Sequence, residues 1–196
     1  MSGFNRVGLA LFCTILILGL SLSGPLFAAC DEIDPLTLLP NEGFCSGWLA
    51  DGAPGTAYTL EELTEFIDGG AFLHDQYGFT AAVFQNYLFG TVAASINLYN
   101  QGTAEGAEGL FNDPSSGMGD PVPEWTGSGE ARFQPALSYI IFQFWEECFY
   151  GSIYMNPATV SDFSEVLCIA TEILTIIQGA VPVDYQSWGS LKINAN

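Results

Sequence analysis

Positive charge is almost missing from this sequence. Three of its 196 residues are Lys or Arg, and only Arg132 and Lys192 lie beyond residue 30. Against them stand 22 Asp and Glu, all after residue 30, which leaves a formal charge of −19 at pH 7. A surface this negative repels nucleic acid and anionic lipid and lacks the basic footprint that phosphate binding needs, so nucleic acid is excluded as a partner. Histidine is as scarce: His74 stands alone, and no Cys-x-x-Cys pair exists, which removes the usual zinc sets. There is no Gly-x-Ser-x-Gly elbow for a serine nucleophile and no Asp-x-Asp-x-Asp-Gly loop for calcium.

What is present is apolar and aromatic. The chain is 49% hydrophobic and 14% aromatic, a composition that packs and does not stay disordered. Its first stretch has Arg6 as the sole charge, an apolar run over residues 7–22, and the small pair Ala28-Ala29 just before Cys30. This is the pattern of an export signal over residues 1–29, with residues 30–196 forming a single domain. The same residues also make an imperfect lipoprotein signal, with Phe27 where leucine is preferred and Cys30 as the acylated residue. Residues 7–29 are also long enough to be retained as a membrane anchor, although Gly24-Pro25 and the Ser21/Ser23 pair weaken that reading. Membrane contact is expected only through this N-terminus, if it is lipidated or uncleaved.

Beyond the leader the chain keeps Cys30, Cys45, Cys148 and Cys168. An even number of cysteines in an exported chain implies two disulfides with three connectivities open. The economical pairing joins Cys30 to Cys45 and Cys148 to Cys168, near neighbours in sequence. Lipidation of Cys30 would strand Cys45, so parity favours plain cleavage.

Along the chain, residues 31–54 read as a turn-rich arm tacked to the body by Phe44 and Trp48. Thr59 and Glu62 form a capping box, followed by Leu63, Phe66 and Ile67 at helical spacing. Gly69-Gly70 interrupts this helix, which resumes over residues 71–77 and ends at Gly78. Residues 79–88 and 91–99 form a hairpin about Phe89-Gly90, with Val92, Ala94, Ile96 and Leu98 on one face. Residues 103–111 suggest a short helix, and residues 112–129 a loop rich in Pro, Gly, Ser and Asp, the best candidate for mobility. Strands follow over 133–137, 138–145 and 148–155, with Glu146-Glu147 at a second turn. The longest helix spans 161–178, is striped by Phe163, Val166, Leu167, Ala170, Ile173, Leu174 and Ile177, and is capped by Gly179. The last ten residues are expected to pack loosely. Together these elements give an α+β fold, an antiparallel sheet built from hairpins with amphipathic helices packed on it.

The chemistry available is thin. His74 is the one imidazole; adjacent Asp75 points about 100° away on a helix and cannot relay to it. Glu146 and Glu147 face apart and read as a solvated turn. Asp113, Ser115, Ser116 and Asp120 share a loop with Gly117 and Gly119, which makes Asp113 and Asp120 weak candidates for calcium; no other cofactor is implied. The rings of Phe72, Tyr77, Phe79, Tyr87 and Tyr99 read as core.

One set of motifs is more specific. Leu38-Leu39-Pro40, Gly47-Trp48, the block Phe66-Ile67-Asp68-Gly69-Gly70-Ala71 and Tyr77-Gly78-Phe79 resemble an uncharacterised family of exported bacterial proteins, the domain of unknown function numbered 6599. The similarity continues through Tyr87, Leu98-Tyr99, Ala107 and Gly109-Leu110-Phe111 and covers most of the chain after the leader. Phe72 and Asn100 replace acidic residues common in that family. The resemblance implies a compact α+β domain and no established activity, so it lends no functional residue. Within the block, Gly69 and Gly70 suit positive φ or close backbone approach, and Asp68 is expected to cap the turn that follows, with Gly78 closing it.

The reading that follows is an exported, acidic, non-enzymatic binding or assembly module of the cell envelope. Its partner would be a protein or small ligand there, and self-assembly would be open to it. The alternatives are a calcium-stabilised surface protein and, less favoured, an extracytoplasmic hydrolase.

Overall fold

The computed structural model describes residues 30–45 and 47–181. The expected leader and the last ten residues lie outside them. Among the described residues, seven strands pair antiparallel into one sheet: β1 (Leu49–Ala57), β2 (Ala81–Phe89), β3 (Val92–Asn100), β4 (Asp120–Pro121), β5 (Ala131–Pro135), β6 (Ile140–Glu146) and β7 (Phe149–Asn156). Their spatial order is β1-β2-β3-β7-β6-β5-β4. Four helices accompany them: α1 (Leu60–Ile67), α2 (Ala71–Gln76), α3 (Ala104–Asn112) and α4 (Phe163–Ala180). The fold is α+β, as the hairpin pattern predicts.

Alternation along the strands gives the sheet two different faces. On one, Val83, Tyr87, Ile96, Leu98, Phe142 and Ile153 meet the stripe of α4, with Val166, Ala170, Ile173 and Ile177 inward. The arm before β1 completes this layer. Trp48 and Phe44 are buried in it, Trp48 Nε1 donates to Glu165 Oε1 at 2.7 Å, and Tyr87 Oη donates to the Pro40 carbonyl at 3.0 Å. On the other face, Ala82, Tyr99 and Tyr150 lie under Leu63, Ala71, Leu110 and Phe111 of α1–α3.

Register fixes the rows of this second face. Ala82, Tyr99, Tyr150 and Trp145 pair across β2, β3, β7 and β6. The next row is Phe84, Asn97, Ser152 and Gln143, and the third is Asn86, Ser95, Tyr154 and Ile141. Helices cover the first row; solvent reaches the third, where Tyr154 is 37% exposed.

Several details depart from the sequence expectations. β1 begins inside the segment read as an arm and runs three residues past it, because Gly52, Pro54 and Gly55 hide a strand. It is an edge strand with a bulge between Asp51 and Gly55, where proline is tolerated. Phe66 packs where a side chain at position 55 would stand, and stacks on Phe84 at 4.4 Å. The first hairpin turns at Gly90-Thr91, since Phe89 still pairs with Val92; Gly90 supplies the positive φ of 62° that this turn requires. The second turns at Glu147-Cys148, because Glu146 pairs with Phe149. Gly179 lies within α4, whose C-cap is Val181.

The four cysteines form two disulfides, but not between sequence neighbours. Cys30 joins Cys148 and Cys45 joins Cys168, with Cα atoms 6.1 and 6.0 Å apart. The economical pairing fails because the arm does not fold back on itself. It runs across the sheet from the β6–β7 turn to α4, and each of its cysteines meets the element it crosses. Asn100 Nδ2 adds two bonds, donating to the carbonyls of Cys30 (2.6 Å) and Ile33 (3.1 Å).

Candidate functional site

The site is built where α1 and α2 cross the first row of the sheet. α1 begins as its sequence dictates. Thr59 Oγ1 accepts from the Glu62 amide, and the Glu62 carboxylate accepts from the Thr59 amide. It ends at Asp68, whose amide donates to the Thr64 carbonyl. The positive φ of the block belongs to Asp68 itself (49°) and to neither Gly69 nor Gly70. The expected cap fails for the same reason: α2 starts without a side-chain cap, since the turn at Asp68 is made by backbone. Gly78 closes α2 with φ of 83°, and a Cβ there would stand 3.0 Å from the Gln101 carbonyl oxygen. Only glycine lets the helix end sit this close to β3.

That approach lays His74 on the sheet. It is 8% exposed, its ring centroid 4.0 Å from that of Tyr99 and 5.9 Å from that of Tyr150. Its Nδ1 is 3.0 Å from Gln101 Nε2. Burial drives the imidazole pKa down to about 4, so the ring is neutral at physiological pH. Asp75 is exposed, and the group at Nδ1 is a carboxamide, so no carboxylate orients this histidine as a hydrolytic relay requires.

Beside the ring is a cleft of about 220 Å³. Its floor is Tyr99, Tyr150, Ser152 and Gln143; one wall comes from Ile67, Gly70, Leu73 and His74, the other from Ser115 and Ser116. Most of its polar groups are fixed in one network. Gln143 Nε2 donates to Tyr150 Oη (2.7 Å) and to the Ser116 carbonyl (2.9 Å), while its Oε1 accepts from Arg132 Nε (2.7 Å). Arg132 also donates to the Phe111 carbonyl (2.8 Å) and Ser116 Oγ (2.9 Å), and its guanidinium lies 4.5 Å over the Phe111 ring. The acceptors around this cation are all neutral. Burial raises the Tyr150 phenol pKa, with Arg132 opposing the rise.

Three polar groups of the cleft stay outside the network, one of them the Ser152 hydroxyl, which bonds to no described residue. Tyr99, 4% exposed, has a hydroxyl that bonds to no described residue, and burial followed by the neighbouring Tyr150 pushes its pKa far above the ordinary phenol value. His74 Nε2 is likewise unbonded among the described residues. All three side chains line the cleft, where these polar atoms are open to water or to a ligand; the buried side-chain polar atoms without a partner among the described residues are Gln101 Oε1, Trp125 Nε1 and Trp145 Nε1.

The remaining sequence candidates lie elsewhere. Asp113 Oδ2 accepts from Tyr77 Oη (2.9 Å) and Oδ1 from the Ser115 amide (2.7 Å), and these bonds hold its pKa below the usual range. Asp120 sits on β4 at a shallow apolar pocket of about 290 Å³ bordered by Val122, Glu124, Phe133 and Phe163. Among the described residues no three His, Cys, Asp or Glu side chains are grouped to hold a metal ion.

The loop marked as mobile is anchored. Gln143 and Arg132 grip Ser116, the Val122 amide donates to the Ala131 carbonyl, and Trp125 packs 5.1 Å from Phe144. Nor is Glu146 a solvated turn residue. It is 1% exposed and accepts from the Gly129 amide (3.0 Å) and Gln178 Nε2 (3.1 Å), because the turn begins one residue later. The cleft residues Gln143, Tyr150 and Ser152, and Arg132 and Gln101 that bond to the cleft from outside it, carry no motif in the sequence. The available signal was a lone polar side chain inside an apolar strand, as in Ile-Ile-Phe-Gln143-Phe-Trp and Phe-Tyr-Gly-Ser152-Ile.

No family model matches this chain, and no curated protein is similar to it. Among solved structures, the extracellular domain of PknH from Mycobacterium tuberculosis is similar over 74% of this chain and 94% of that one, at 12% identity and a TM-score of 0.45. Two disulfides point to an extracytoplasmic setting, where thiols oxidise and bridges persist.

Proposed function

We propose that this protein is an exported, non-enzymatic binding module of the cell envelope whose ligand seats in the His74–Tyr99–Tyr150 cleft. The observation that carries the reading is the Tyr99 hydroxyl, which faces the cleft from an otherwise buried side chain and makes no hydrogen bond to a described residue. A neutral imidazole at one side and a positioned carboxamide at the other offer orientation without charge. The crossed disulfides and the packed arm support a rigid frame for such a site. Membership of the family resembled by the Phe66–Ala71 block belongs to this proposal and adds no role for any residue.

The test is a thermal-shift screen of the folded protein against a library of neutral metabolites, run in parallel on Tyr99→Phe. A ligand bound only by the folded state raises the midpoint. The expected result is a shift seen with the wild type and lost with the variant. Shifts that are equal in both proteins would place the ligand outside the cleft and overturn the reading.

A further inference from the structure

Ser152 on the cleft floor belongs to the second row of the sheet and is followed on β7 by the exposed third-row Tyr154, where solvent reaches the sheet. Across the four inner strands, the second and third rows of that face hold no Asp, Glu, Lys or Arg, although the chain carries 22 acids. Asp51 on β1 and Arg132 on β5 stand only at the two edges. The polar groups between them are amides and hydroxyls. Ser95 Oγ donates to Asn86 Oδ1 at 2.6 Å, leaving the Asn86 Nδ2 hydrogens outward. The side chains of Asn97, Ser152 and Tyr154 make no hydrogen bond to a described residue. The rings of Tyr139 and Tyr154 lie 5.2 Å apart at 32° beside them.

From this arrangement we infer that the face binds a neutral oligosaccharide, one sugar ring in the cleft against Tyr99 Oη and the next rings over Asn97, Ser152 and Tyr154. The inference rests on the binding reading above and names its ligand class. A cleft of about 220 Å³ is smaller than the roughly 300–1,000 Å³ of drug-sized sites and suits a single ring. Hydroxyl-rich ligands need many neutral donors and acceptors together with an amphipathic aromatic surface, which these rows supply. The competing occupants fit less well. An anionic glycan or a second copy would approach a body of charge −19. An extended peptide would need a free strand edge, and β2, β3, β6 and β7 are paired on both sides.

The experiment is calorimetric titration of the folded protein with maltohexaose, cellohexaose, laminarihexaose, mannohexaose and chitohexaose, with hexagalacturonate as the acidic control. At least one neutral hexamer binds, with an affinity that changes less than about twofold between low and high salt, since no ion pair is formed. Tyr154→Ala, at an exposed position, weakens it about tenfold, and Asn97→Asp does the same by adding charge. Circular dichroism melts of both variants verify that they remain folded. Stronger binding of hexagalacturonate overturns the inference. So does a wild-type dimer in sedimentation that Tyr154→Asp dissociates. If no hexamer binds while the metabolite screen still gives a Tyr99-dependent shift, the ligand class is wrong and the cleft reading survives. If neither assay gives binding, both fall.

Discussion

The imidazole of His74 lies against the ring of Tyr99, centroids 4.0 Å apart and planes tilted by 35°. The pair ties the shortest helix to the middle of the sheet, and it makes the one histidine of the chain a reporter of folding. Its pKa of about 4 in the folded protein is below the 6.5 of an exposed imidazole, so the unfolded chain takes up the proton first as pH falls. The stability gained by keeping the ring neutral is complete above about pH 6.5 and is lost as pH drops through 4. The total is of the order of 3 kcal/mol. The Cε1 proton resonance of His74 should titrate near 4. Wild type should lose more stability than His74→Gln between pH 7 and 4.5, measured by urea unfolding.

Non-reducing peptic digestion followed by mass spectrometry should recover peptides linked Cys30 to Cys148 and Cys45 to Cys168. Each bridge spans more than 100 residues, 118 and 123 in sequence. Removing one by the double change Cys45→Ser/Cys168→Ser should cost about 3–4 kcal/mol in chemical denaturation by the chain-entropy account, since the remaining Cys30–Cys148 bridge shortens the loop that the lost one closes.

Two glycines should respond oppositely to alanine. At Gly151 in β7, a Cβ would enter the ring of Phe144 from the neighbouring strand, so Gly151→Ala should destabilise by about 1–3 kcal/mol. At Gly179 in α4, no atom lies within 4 Å and φ is not positive, so Gly179→Ala should stabilise by roughly 0.5–1 kcal/mol. Thermal melts of the two variants check both signs.

Glu146→Ala should lower stability by about 1–3 kcal/mol, because the Gly129 amide and the Gln178 carboxamide lose their acceptor. Glu146→Gln keeps one acceptor oxygen and should cost less. Urea unfolding of the two variants gives the comparison.

A body of charge −19 repels itself and should gain stability from screening by salt. The melting midpoint should rise with sodium chloride, and calcium chloride at matched ionic strength should add no more. A calcium-specific rise reversed by chelator would favour the calcium-stabilised alternative.

What the sequence disclosed was whatever is decided locally. The Thr59–Glu62 capping box, the alternation of Val92 through Leu98 and the stripe of α4 are each written within a few residues, and each forms as read. What it hid was decided by partners far along the chain. β1 has too much Gly and Pro to announce a strand and exists because β2 offers it an edge. Glu146 looks like a turn residue until Phe149 pairs with it. The cleft was the least legible part. Gln143, Tyr150 and Ser152 on the sheet meet His74 from a helix some 70 residues earlier and Ser116 from a loop, and no spacing rule links them. His74, Tyr99, Ser115 and Ser116 were each in view, but on separate segments with nothing to join them.

The crossed connectivity of the two bridges also sets an order of events. A polypeptide emerges from the ribosome N-terminus first, so Cys30 and Cys45 appear together while Cys148 and Cys168 are still to come. Neither native bond can close until nearly all of the domain has been delivered, and the thiols that meet first are a pair that must not stay joined. Maturation therefore depends on delayed oxidation or on a catalyst that reshuffles sulfur bonds, and yield in any expression host should track the supply of that isomerase.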